Sequence, residues 1–253
     1  MERIPPASRQ DLLTIMSTEH FTLQGARSAA ISDANGRTGF FLSTLSAGVV
    51  ALAFVAQVAQ TGPAFIVLAL IVLPTLLVIG LASFERLLQL GIENIRTVVA
   101  INRVRHYYLE IAPELRPHFT LSDQDDAAGV LSSLGSIRGG IRPWDLFITN
   151  AGVVAIIDGI LSGVVATLIA WTVQAGVAAS AGVGVVVGAI VLTLLELYLA
   201  RSWRDAIRTF GIRFAPDQDF EASHGPAKVA PAEEDPAVGA STPGEGPAAD
   251  GAT

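Results

Sequence analysis

The sequence predicts an all-α membrane protein, with four transmembrane helices arranged as two hairpins and amphipathic helices on the cytoplasmic side. Three observations predict it. Between Arg37 and Glu85 run 47 residues without a charge, too many for one crossing and about right for two at roughly 20 residues each. A second apolar block, Ala151 to Leu199, holds two acids and no base. All 16 Lys and Arg residues lie before the first block, between the blocks or after the second, the one-sided pattern that the positive-inside rule describes. Composition agrees: 51% of the residues are hydrophobic and 15% charged, where a soluble domain carries about 25% charged residues.

Residues 1–38 read as a cytoplasmic N-terminal segment. Ser8 is placed to cap a helix from Arg9 to Ala30, with Leu12, Leu13, Ile15 and Met16 as its apolar stripe. Its charges are mixed in sign, which favours a cytoplasmic bundle over a membrane-surface helix. Asp33-Ala34-Asn35-Gly36 reads as a turn before the first span. Residues 39–84 form the first hairpin, with spans Phe40–Ala59 and Ala64–Phe84 joined at Gln60-Thr61-Gly62-Pro63. Pro74 is expected to kink the second span without breaking it.

Residues 85–147 form a cytoplasmic helical loop. Leu88, Ile92, Ile95 and Val99 share one helix face, opposite Glu85, Gln89, Glu93, Arg96 and Arg103, and no strong breaker precedes Pro113. Span two should therefore continue for about 25 residues, roughly 40 Å, as an amphipathic helix. Its apolar face needs a partner: the N-terminal helix, the helix after span four, or another subunit. Ser122-Asp123-Gln124-Asp125 reads as a capping box opening a short helix that Gly135 ends. A calcium loop of the EF-hand type would need a glycine and a distant Glu that do not follow.

Residues 148–200 form the second hairpin, with spans Val153–Val173 and Val177–Leu199 about a turn at Gln174-Ala175-Gly176. In residues 201–214 Trp203, Ile207 and Phe210 alternate with Arg201, Arg204 and Arg208, a basic amphipathic extension at the inner surface. Trp144 and Trp203, both close to arginines, are placed as interfacial anchors. Residues 215–253 hold six Pro and eight acids with no apolar periodicity, and are predicted to be a disordered tail.

The net charge of -7 equals the charge of that tail, eight acids against Lys228, so the remaining residues balance. No nucleic-acid partner is expected. The absence of cysteine excludes disulfides and thiolate metal sites. His20, His106, His118 and His224 show no ligand spacing. No nucleophile elbow, HExxH pair or phosphate-binding glycine loop occurs. The expectation is therefore a protein that is not an enzyme and needs no cofactor.

Two acids stand out. Asp158 lies inside span three and Glu196 near the end of span four. An intramembrane acid is costly and by default suggests a proton or cation relay. The alternative for Asp158 is a carboxyl hydrated or hydrogen-bonded to Asn150, Thr167 or a neighbouring span. Gly159-x-x-x-Gly163, Gly184-x-x-x-Gly188 and the stripe Ser43, Ala47, Ala51 and Ala59 permit close helix contact, either within one chain or between copies in a homo-oligomer. Arg103, Arg105 and His106 beside Tyr107 and Tyr108 could meet lipid headgroups or a ligand, or form a helix surface balanced by Glu110 and Glu114.

Glu19-His20-Phe21-Thr22-Leu23-Gln24 with Ala26-Arg27, then Ala34-Asn35-Gly36-Arg37, resemble a family of bacterial integral membrane proteins with four predicted spans, common in actinobacteria. Ile101-Asn102-Arg103-Val104-Arg105-His106-Tyr107-Tyr108 is similar to the same family. The resemblance covers about Met16 to Tyr108 well and the second hairpin in outline. It implies a multi-pass bacterial membrane protein and carries over no activity and no site residues; the positive-inside rule predicts that both termini and the central loop are cytoplasmic, in the bacterial inner membrane. Two functions are open: a scaffold, sensor or membrane-organising protein acting through cytoplasmic helices, or a subunit of an oligomeric pore or ion- or proton-coupled transporter using Asp158.

Overall fold

The computed structural model of the protein describes residues 8–59, 62–135, 143–210 and 212–214. They form α1 (Arg9–Ala59), α2 (Pro63–Ile111), a 3-10 turn (Pro113–His118), α3 (Ala127–Ser133), α4 (Pro143–Phe147), α5 (Asn150–Thr172) and α6 (Val177–Thr209), with no strand among the described residues. Four of them, α1, α2, α5 and α6, are long and apolar enough to cross a membrane. The chain is an all-α membrane protein.

The middle of the bundle is α2. It lies antiparallel to α1: Gly48 faces Leu76, Arg86 pairs with Asp33 at 3.1 Å, and Arg9 donates to the Ile111 carbonyl at 3.1 Å. Gly80 of α2 receives α5, and α5 in turn packs on α6. The apolar core of the spans centres on Phe41, Leu73, Leu76, Phe84, Leu88 and Val154. A second core, Ile95, Val98, Val99 and Val130 with Ile207 and Phe210 against it, lies beyond the spans. As the periodicity requires, α2 runs past Phe84, continues through Pro74 without a break and ends at Ile111, two residues before Pro113. The partners of its apolar face are α3 and the end of α6.

Three local expectations are corrected. Residues 33–36 are not a turn, because α1 is helical throughout. The side chains that suggested a turn have other partners: Asp33 takes Arg86, and Asn35 accepts from Asn150 Nδ2 at 3.0 Å. A single Gly in a helix costs about 1 kcal/mol, and packing along α2 offsets it. Secondly, Ser122 does not open a helix. Its Oγ accepts from Gln124 N at 3.1 Å, and the N-cap is Asp126, accepting from Gly129 N at 2.8 Å. Gly135, at φ +90°, follows the C-cap Leu134, as expected of a glycine that can take the left-handed region. Thirdly, Trp203 is not a lipid-facing anchor. Its ring packs against α2, where a Cβ on Gly91 would sit 3.3 Å from the indole. Trp144 on α4 is 71% exposed.

At the start of α1 the Ser8 cap forms as expected. Ser8 Oγ donates to Asp11 Oδ2 at 2.7 Å and accepts from Asp11 N at 3.1 Å. Of the apolar stripe only Met16 is half-buried. Leu12, Leu13 and Ile15 are exposed, and α1 instead faces α2 through Ala30, Ala34 and Phe41. The expected disordered tail, 215–253, lies outside the described residues.

Candidate functional site

Asp158 sits two turns into α5 and is fully buried. Gly80 makes its place: a Cβ there would collide with the Asp158 carboxylate. Neither carboxylate oxygen has a hydrogen-bond partner. The partners considered from sequence are occupied elsewhere, Asn150 with Asn35 at 3.0 Å and Thr167 with the Gly163 carbonyl at 2.9 Å. Ser162 donates to the Asp158 backbone carbonyl at 2.7 Å, not to the carboxylate. Glu196, half-buried on α6, also has both carboxylate oxygens buried without a partner. The neighbouring Tyr198 hydroxyl instead reaches Glu85 at 3.4 Å.

An amide has the shape of a carboxyl group and no charge. Asp158→Asn is therefore expected to fold, with a thermal stability in detergent within about 1 kcal/mol of the parent. Loss of the folded state would mean that the packing requires the carboxylate itself.

The glycine pairs bring α5 and α6 together within one chain. A Cβ on Gly163 would lie 2.8 Å from the Gly184 carbonyl, and one on Gly188 2.8 Å from the Gly159 carbonyl. Beside them runs a groove of about 440 Å³ lined by residues such as Ile160, Val164 and Val185. In span one, by contrast, Ser43, Ala47 and Ala51 are exposed. A second cavity, about 170 Å³, lies among Ala34, Asn35, Gly91, Asn94, Asn150 and Trp203.

Beyond the spans, the acids of the 122–126 loop pair with side chains and backbone amides. Asp125, its side chain wholly buried, meets Arg103 Nε at 2.8 Å and accepts from the backbone N–H groups of Arg213 and Phe214 at 3.0 and 2.8 Å. Arg103 also donates to the Phe210 carbonyl at 2.8 Å. Asp123 takes His106 at 3.2 Å and Arg116 at 3.5 Å. The His106 ring stacks on Phe214, 4.1 Å between centroids. Within the tyrosine-flanked basic run, Arg103 and His106 thus meet Asp125 and Asp123, not Glu110 and Glu114. Burial pushes the Asp125 carboxyl up, but hydrogen bonds from Phe214, Arg103 and Arg213 and the charge of Arg103 outweigh it, leaving the group below its ordinary value of 3.8.

Among the described residues no group of three or more His, Cys, Asp or Glu is arranged to hold a metal ion. Comparison with protein-family models, with curated proteins and with solved structures gave no match to any of the three.

Proposed function

We propose that the protein is a non-enzymatic scaffold or sensor of the bacterial inner membrane, a member of the four-span family its first hairpin resembles. It acts through the helical body built on the ends of α1, α2 and α6. One observation carries the reading: α1 and α2 pass without a break from apolar spans into that body. Any partner bound there is coupled directly to the membrane part. The one-sided arginine distribution supports a cytoplasmic placement of both termini and the body.

The absence of cysteine makes the orientation testable with single substitutions. Ala175→Cys, in the turn between α5 and α6, should react with an impermeant maleimide on intact cells. Glu114→Cys should react only after permeabilisation. The reverse pattern would overturn the orientation. For the scaffold itself, photo-cross-linkers at the exposed Leu13 and Phe21 should yield protein adducts in native membranes. Adducts only at Val58, at the opposite end of α1, would contradict it.

A second reading, an ion- or proton-coupled transport subunit, is favoured by the Asp158 carboxyl, buried without a partner. Flux in proteoliposomes that Asp158→Asn abolishes would replace the scaffold reading with this one.

A further inference from the structure

Two guanidiniums and an imidazole face one another where α1 meets α2 and α3. His20 and Arg27, two turns apart, lie on the side of α1 toward α2, and Arg105 projects from α2. Arg27 Nη2 donates to the Ser133 carbonyl at 3.4 Å, Ser133 Oγ to Asn102 Oδ1 at 3.1 Å, and Arg105 Nη1 to the same Asn102 oxygen at 3.1 Å. The two guanidiniums thus converge on Ser133 and Asn102, and Asn102 is fully buried. The His20 ring lies 6.1 Å from that of Tyr108, one turn beyond Arg105.

Neither guanidinium is neutralised. Among the described residues the ion pairs are those of Arg86, Arg103, His106 and Arg116, and no carboxylate lies at ion-pair distance from Arg27 or Arg105. Arg105 is nevertheless 7% exposed, and Arg27 Nε and His20 Nδ1 are buried with no hydrogen-bond partner. Burial, and after it the charge of Arg105, holds His20 below its ordinary value; burial and then Arg27 do the same to Arg105. Buried charge without a counter-charge is costly, whereas nearby Arg103 has Asp125.

We propose that His20, Arg27 and Arg105 form a binding site for a small soluble anion bearing a phosphate group. Two guanidinium forks and an imidazole offer more donors than one carboxylate accepts, while a phosphate monoester presents three terminal oxygens and a charge of about -1.5 to -2. Position separates a soluble anion from a lipid headgroup. Arg105 lies about 30 Å along α2 from Phe84, where the span ends, and His20 about 25 Å along α1 from Arg37. The headgroup layer adds only about 5–8 Å to the hydrocarbon on each side.

The site is tested by binding alone, independently of the scaffold reading. The full chain in phosphatidylcholine nanodiscs is titrated calorimetrically with inorganic phosphate, glycerol phosphate and, for comparison, acetate. Both phosphates should bind and acetate more weakly. Arg27→Gln should weaken phosphate binding about tenfold or more, and Arg27→Lys less, because the ammonium lacks the planar fork. Arg105 is too buried for a first substitution, so the His20 imidazole resonances serve as the second measurement and should shift on adding phosphate. Absence of heat and of any shift at millimolar phosphate overturns the proposal, as does binding that Arg27→Gln leaves unchanged. Binding seen only when anionic lipid is present would assign the charge to headgroups and overturn the soluble anion.

Discussion

Asp125→Ala is expected to cost the extramembrane body about 3–5 kcal/mol, the usual penalty for removing one partner of a buried ion pair. The carboxylate serves Arg103 and two consecutive backbone amides, those of Arg213 and Phe214, and alanine would leave both amides without this acceptor and remove the counter-charge of Arg103. The damage should be local in origin. Amide hydrogen exchange at 213 and 214 should accelerate, and His106 should lose its stacking partner as Phe214 comes away. Asp125→Asn keeps one acceptor oxygen and should fall between the parent and the alanine variant. Unchanged exchange and melting in Asp125→Ala would mean that the contact holds nothing together. The pH dependence has a definite sign. Because the folded carboxyl sits below 3.8, its stabilisation is complete above that ordinary value and is lost as pH falls below it through the depressed one. Mild acid should leave the region intact.

Gly184→Val should open the second hairpin. A Cβ at Gly184 would lie 2.6 Å from the Gly163 carbonyl and would also strike the Thr167 hydroxyl. The first of these is backbone and cannot rotate away, so α5 and α6 must separate, at a cost of about 1–3 kcal/mol by analogy with overpacked cores. Gly182→Val provides a matched control in the same helix, since a Cβ there has nothing within 4 Å, and it should melt with the parent. Equal melting of the two variants in detergent would show that the close approach at Gly184 is unnecessary. A larger loss at Gly182 would point to contacts between copies.

The spans were legible because hydropathy is a local property. A stretch such as 38–84 carries its own signal, and so does the apolar face of Leu88, Ile95 and Val99 that α2 buries. What was not legible depended on residues distant in sequence. The turn expected at Asp33–Gly36 has sound local chemistry, but Arg86 and Asn150 reach those side chains from 53 and 115 residues away. The acids at 123 and 125 looked like helix-start charges because their partners, His106 and Arg103, are on another element. Asp125's amide partners lie 88 and 89 residues further on, and no pattern in the sequence joins them. Asp158 could be singled out as a buried acid, but the Gly80 that makes room for it could not. His20 and Arg27 share a face of α1 by their spacing alone, yet only the fold puts Arg105 opposite them.

The unbroken course of α1 has a mechanical meaning. At about 1.5 Å per residue, its 51 residues make a rod of about 76 Å, of which the hydrocarbon layer can hold only about 30 Å. The longer arm lies outside. Tilting that arm by about 5°, a change of the size that altered bilayer thickness imposes, would carry Arg9 through roughly 4 Å. An adjustment of lipid thickness too small to disturb the spans would thus arrive at the far end magnified, where Arg9 holds the Ile111 carbonyl.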